Sequence, residues 1–191
     1  MSQKIVCNLS PQSIKDAQKE LNKYKRRLIK KCETFVRKMA QLGVHTAYQH
    51  MPGTEGQGWR KYVFFDYNLE TDKYGAKSIM YGTQTGLIRS EWRTLNNASG
   101  IEVADVSPLL MIEFGAGVKH DNNSRAHEFG MGAGTFPGQT HAFDEDGWWY
   151  MDLNYEWHHV DGIEPTMPMY YASLEMFTLL FRTAREVFGQ P

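Results

Sequence analysis

SPQSIKDAQKELNKYKRRLIKKCETFVRKMAQLG, residues 10–43, is the stretch on which the fold turns. Ser10 has the hydroxyl of a helix N-cap, and Pro11 sits where the first helical residue needs no backbone N–H. Ile14, Ala17, Leu21, Tyr24 and Leu28 follow at 3-4-3-4 spacing. After a step of four to Cys32 the stripe resumes at Phe35, Met39 and Leu42. That step is a stutter in a heptad-like pattern. Gly43 reads as the C-terminal stop. The spacing predicts a helix of about 32 residues, roughly 48 Å long at 1.5 Å per residue. Such a length exceeds the ordinary globular helix and predicts an element that protrudes or packs on a neighbouring subunit.

The other faces of this helix carry Lys15, Lys19, Lys23, Lys25, Arg26, Arg27, Lys30, Lys31, Arg37 and Lys38. Charge is therefore unevenly spread. Residues 1–50 hold 11 Lys/Arg and 3 Asp/Glu, while residues 51–191 hold 10 and 19, so a net charge of -1 conceals +8 and -9. The balance excludes a uniformly basic nucleic-acid binder but not a basic patch. The 191 residues suit one domain, and a composition of 41% hydrophobic and 23% charged residues is that of an ordinary globular chain. No apolar run approaches the roughly 18 residues of a membrane span. The first ten residues lack the charged-then-apolar pattern of a secretory leader, and Cys7 and Cys32 are too few for a disulfide framework or a thiolate zinc site. These features lead to the expectation of a soluble protein made in a reducing cytoplasm. No repeat of 20–50 residues is visible.

Outward from the helix the period changes. Residues 4–9 read as a short strand before it. Residues 62–67, 77–81 and 101–106 read as strands, 86–95 as a strand or short helical turn, and the apolar run 109–114 as a strand after a bend at Ser107-Pro108. Residues 115–165 are rich in Gly, His, Asp and aromatics. Within them Trp148, Trp149 and Tyr150, followed by Tyr155, Glu156 and Trp157, predict a hairpin turning near residues 152–154. A stretch of that length without regular structure is usually functional or ordered on a partner. A last helix is predicted from Pro168 to Phe188. The expected class is α+β: a long N-terminal helix, a small mostly antiparallel sheet, a C-terminal helix packed on it and an aromatic insertion.

Few residues form a catalytic pattern. His158, His159 and Asp161 make the densest group of metal-ligand types, with His120, Asp121, His127, Glu128 and His141 upstream. Adjacent strand residues point to opposite faces, which works against His158 and His159 sharing one ion. A metal-dependent hydrolase built on them is the third reading. Cys32 lies on the apolar stripe, Cys7 has no histidine near it in sequence, and Ser90, Ser107 and Ser124 lie in no nucleophile motif. Gly130-Met131-Gly132-Ala133-Gly134 lacks the Lys-Ser/Thr of a phosphate loop. The basic helix is the strongest physical signal. Lys23, Arg26, Arg27, Lys30 and Lys31 could track phosphates of DNA, although Tyr24 and Phe35 are the only aromatics there for stacking. The same face could instead meet the acidic surface of another copy, where complementary charge sets register and encounter rate, or simply face solvent.

Three segments carry a resemblance. They are Gly86-Leu87-Ile88-Arg89-Ser90, then Ile112-Glu113-Phe114-Gly115-Ala116-Gly117, and finally Pro165-Thr166-Met167-Pro168-Met169-Tyr170 leading into the last helix. In this order, after a long charged helix, they resemble the neck or tail-completion proteins of long-tailed bacteriophages, also described as head-tail joining or minor tail proteins. Ala116 stands where Thr is common in that family, Tyr170 lies in a segment where Phe is common, and the insertion 118–162 is longer than in compact members. The resemblance implies a structural α+β subunit of a virion, assembled in the host cytoplasm, without enzymatic activity or cofactor. It implies a homo-oligomeric ring of six or twelve copies at the head-tail junction, with DNA passing through. Head-closure or adaptor proteins and tail-terminator or tail-tube proteins would be its partners. The assembly surface expected on this basis comprises the basic helix, Glu113 with Gly115 and Gly117, and Trp148, Trp149, Tyr155 and Trp157.

Overall fold

The computed structural model describes residues 10–53, 58–93, 101–116, 147–152 and 154–189. The expected strand at 4–9, Gly117 and the glycine-rich run 130–134 lie outside them, as do His120, Asp121, His127, Glu128 and His141. The chain is α+β. Helix α1 (Pro11–His50) comes first, followed by one 3-10 turn (Gly58–Lys61). Strands β1 (Val63–Thr71) and β2 (Ala76–Gln84) pair antiparallel as a two-stranded ribbon. Strands β3 (Ile88–Arg93), β4 (Ile101–Val106), β5 (Trp148–Met151) and β6 (Trp157–Val160) form an antiparallel sheet in the order β4-β3-β5-β6. Helix α2 (Pro108–Phe114) follows β4, and helix α3 (Pro168–Phe188) closes the fold.

Ser10 caps α1 as its sequence predicts, with the Ser10 hydroxyl accepting the Ser13 N–H at 3.2 Å. Gly43 does not end the helix, which runs seven residues further to His50. The glycine serves packing instead. A Cβ there would lie 2.7 Å from the Met176 sulfur of α3 and 2.8 Å from the Met80 sulfur of β2. Its bare backbone lets three elements close together, and the buried residues Thr46 and Ala47 continue the packed face beyond it. Termination comes at Met51-Pro52. There the Arg60 guanidinium donates to the carbonyls of Tyr48 and Met51, placing a cation against the negative end of the helix.

The run 109–114 is helical, not a strand. Ser107-Pro108 repeats the start signal of Ser10-Pro11, and the Ser107 hydroxyl accepts the Leu110 N–H at 3.2 Å. The apolar run supplies Met111 and Ile112, both essentially fully buried. Gly115 ends it at φ +76°. Within the segment 86–95, residues 88–93 form strand β3, with 94 and 95 outside the described residues, and the hairpin near residues 152–154 forms as predicted.

Helix α3 runs antiparallel along the second half of α1. Phe35 meets Phe188 at 5.8 Å between ring centroids, Lys38 faces Glu186 at 3.9 Å, and His50 stacks on Tyr171 at 4.1 Å. The core lies where these helices meet the strands, with Ala47, Val63, Phe65, Ile88, Met111, Ile112, Trp148 and Ala172 in one cluster. Among the described residues no helix is long and apolar enough to cross a membrane.

Candidate functional site

Two of the three family-like segments meet in space. Ile112 and Glu113 end α2, and residues 165–170 open α3. The Glu113 carboxylate accepts the N–H of Met169 at 2.9 Å and of Tyr170 at 3.0 Å. The Ile112 carbonyl accepts the N–H of Thr166 and of Met167. Helix α3 has no side-chain cap of its own, because its N-cap is Met167 in the left-handed conformation, φ +48°. Glu113 supplies the missing acceptor from another helix, and its negative charge faces the positive end of α3. Glu113 falls in the run 109–114 expected as a strand; it bonds the first-turn amides of a helix from a helix end. Desolvation by burial pushes its carboxyl above the usual range, a shift the two N–H bonds oppose. Ala116 and Ile163 add a two-way backbone bridge at the same junction.

The second surface is the front of α1. The helix has 40 residues, about 60 Å, and α3 has 21, about 32 Å. Since Phe188 at the end of α3 lies opposite Phe35, residues 11–33 extend past the end of α3 as an arm. The seam buried at Met39, Gly43 and Thr46 continues along this arm without cover. Ile14 is 41% exposed, Leu21 55%, Tyr24 56% and Leu28 40%. At about 100° per residue, Lys23, Arg26, Arg27, Lys30 and Lys31 fall in an arc about 140° wide that begins beside the seam, with Lys31 about 20° from Tyr24, and turns away from it through Arg27 and Lys23 to Lys30 and Arg26. Lys23 bonds Glu20 at 2.6 Å, an exposed pair worth little to stability. The arm therefore has two distinct faces, one apolar and one basic.

The aromatic hairpin divides in the same way. Trp148 is a core residue, 8% exposed, and so leaves the expected interface. Trp149 and Trp157 are half-buried, whereas Tyr155, at the turn with φ +63°, stands 83% exposed. Asp152 builds that turn, its carboxylate accepting the N–H of Asn154 at 2.8 Å and of Glu156 at 2.9 Å.

His158 and His159 take opposite faces of β6: His158 pairs with Tyr150 and His159 with Trp149 across the strands. His159 Nδ1 lies 3.9 Å from Asp161, and His158 turns to Asp152, with Nε2 3.3 Å from the carboxylate. The expected trio is not gathered on one face. Asp152, Glu156 and His158 come together instead, Glu156 exposed and the other two half-buried, with Asp152 already engaged in the turn. Cys32 is half-buried on the seam.

The outer face of α3 is apolar as well, which was not anticipated. Phe177 and Phe181 are 73% and 72% exposed, and Leu174 is 46% exposed. The 3-4-3-4 run of Leu174, Phe177, Phe181, Ala184 and Phe188 was the available signal. Once the packed side of α3 is assigned to Ala172, Met176 and Val187, this run is a second seam, exposed at Leu174, Phe177 and Phe181 and ending at Phe188, which packs on Phe35. No family model, curated protein or solved structure matches the chain.

Proposed function

We propose that the chain is a structural subunit of a long-tailed bacteriophage virion, a neck or tail-completion protein that forms a ring at the head-tail junction. The observation that carries this reading is the arm. A helix that extends its packing seam past its own body, uncovered, belongs to a subunit completed by a neighbour. The α2–α3 junction supports it: the segments that resemble the neck family are joined by Glu113 and by the Ile112 carbonyl, and their work is structural. On this reading the protein has no catalytic residues and no cofactor. Its partners are further copies of itself, head-closure or adaptor proteins on one side and tail-terminator or tail-tube proteins on the other. Light-scattering mass of the purified protein, alone and with head and tail partners, tests this. A ring of defined mass is the expected result, and a strict monomer in every mixture would remove the proposal.

A second reading is favoured by the basic arc. With the seam turned to protein, Lys23, Arg26 and Lys30 face outward, with Arg27 and Lys31 between them and the seam, where DNA in the channel could meet them. Binding of duplex DNA that weakens steeply with salt would support it. A flat salt response would discard it.

A further inference from the structure

We infer that the arm of one copy docks its apolar seam on the outer face of α3 in the next copy, so that Ile14, Leu21 and Leu28 pack against Leu174, Phe177 and Phe181 of its neighbour. This contact deepens the ring reading above and rests on it.

Geometry comes first. Both seams have 3-4-3-4 spacing over 15 residues, the period at which side chains of one helix fill the gaps of another. Both are bare. The arm cannot reach its own α3, because α1 is one unbroken helix and residues 11–33 lie past the point where Phe188 meets Phe35. The other large exposed apolar residues among those described, Phe64, Tyr74 and Ile79 on the β1–β2 ribbon, Leu87 before β3 and Tyr155 at the β5–β6 turn, lack the 3-4 spacing of a helical seam.

Charge selects the partner. The arm holds eight Lys/Arg and three Asp/Glu, a balance of +5 in a chain of total -1, which leaves -6 for the rest. Two arms packed together would set +5 against +5. An arm on a neighbour's body sets +5 against -6. Helix α3 itself is balanced, with Glu175 and Glu186 against Arg182 and Arg185, so its face admits the arm without repulsion. Arm and α3 face are different surfaces, so the contact is head-to-tail. Repeated from copy to copy, it closes into a ring when the rotation permits.

Two exposed-site variants test this, with circular dichroism to show that each stays folded: Leu21→Glu/Leu28→Glu on the arm and Phe177→Glu/Phe181→Glu on α3. Wild type is expected to form the oligomer, and each variant alone to run at the single-chain mass of 22.0 kDa. An equimolar mixture of the two is expected to give dimers and nothing larger. Only one docking, the α3 variant's intact arm on the arm variant's intact face, remains possible. An oligomer that survives the α3 variant unchanged overturns this contact while leaving the ring reading standing. A wild type that stays monomeric with its head and tail partners overturns both.

Discussion

The Glu113 carboxylate accepts the backbone N–H of Met169 at 2.9 Å, so the end of one helix caps the start of another 56 residues away. Replacing Glu113 with Ala leaves the amides of Met169 and Tyr170 without their acceptors in a partly buried junction. Urea unfolding is expected to show a loss of about 1–3 kcal/mol.

The same carboxyl gives a pH signature. Burial raises it above the ordinary value near 4.5. Between the unfolded and folded values the native state holds more protons than the unfolded one, so this residue's contribution to stability falls as pH rises through that window. Stability followed by urea titration upward from pH 4.5 should show that decline in wild type. Glu113→Gln, which cannot ionise, should lack it.

Gly115 and Gly86 both have φ +76°, yet a Cβ at Gly115 would meet Pro165 at 2.7 Å and the Ile163 carbonyl at 2.8 Å, while Gly86 has open space. Gly86→Ala should cost only the left-handed penalty, about 1–2 kcal/mol. Gly115→Ala adds a backbone collision and should cost about 2–4 kcal/mol. Equal losses of melting temperature in the two variants would count against the close packing at the α2–α3 junction.

Arg60 closes the last turn of α1 through the carbonyls of Tyr48 and Met51 and lies over the Tyr48 ring at 5.8 Å. Arg60→Ala is expected to lower stability by about 1–3 kcal/mol. Hydrogen exchange should show faster opening near residues 46–51, with the arm unaffected.

Asp152 is held below the usual carboxylate range, first by the Glu156 N–H and then by His158 and the Asn154 N–H. A lowered value means that its contribution is present above the ordinary 3.8 and is lost as pH falls below it. Asp152→Ala should therefore flatten the acid side of the stability profile. Intrinsic tryptophan emission from the Trp148, Trp149 and Trp157 hairpin reads the transition.

The start of α1, the aromatic hairpin and α3 were legible because each carried two agreeing signals: a Ser-Pro start with a stripe, alternating aromatics with a turn, a Pro start with an apolar face. The end of α1 was not legible. A glycine after an apolar stripe looks the same whether it stops a helix or makes room for Met176 and Met80, and only tertiary contact separates the two. The run 109–114 lacked a period, so composition suggested a strand while Ser107-Pro108 held the better signal. The basic face of the arm was readable from its charges. Its apolar stripe and its protrusion were readable too, but not which part of the stripe is exposed, because exposure depends on where α3 stops.

The junction at Glu113, Ile112 and the Ala116–Ile163 bridge also acts as a clasp around residues 117–162. These hydrogen bonds run directly between residues 112–116 and 163–170. The registration of α3 on α2 is therefore held by contact across the clasp, and a single backbone cut between Ala116 and Gly147 would leave every one of those bonds in place.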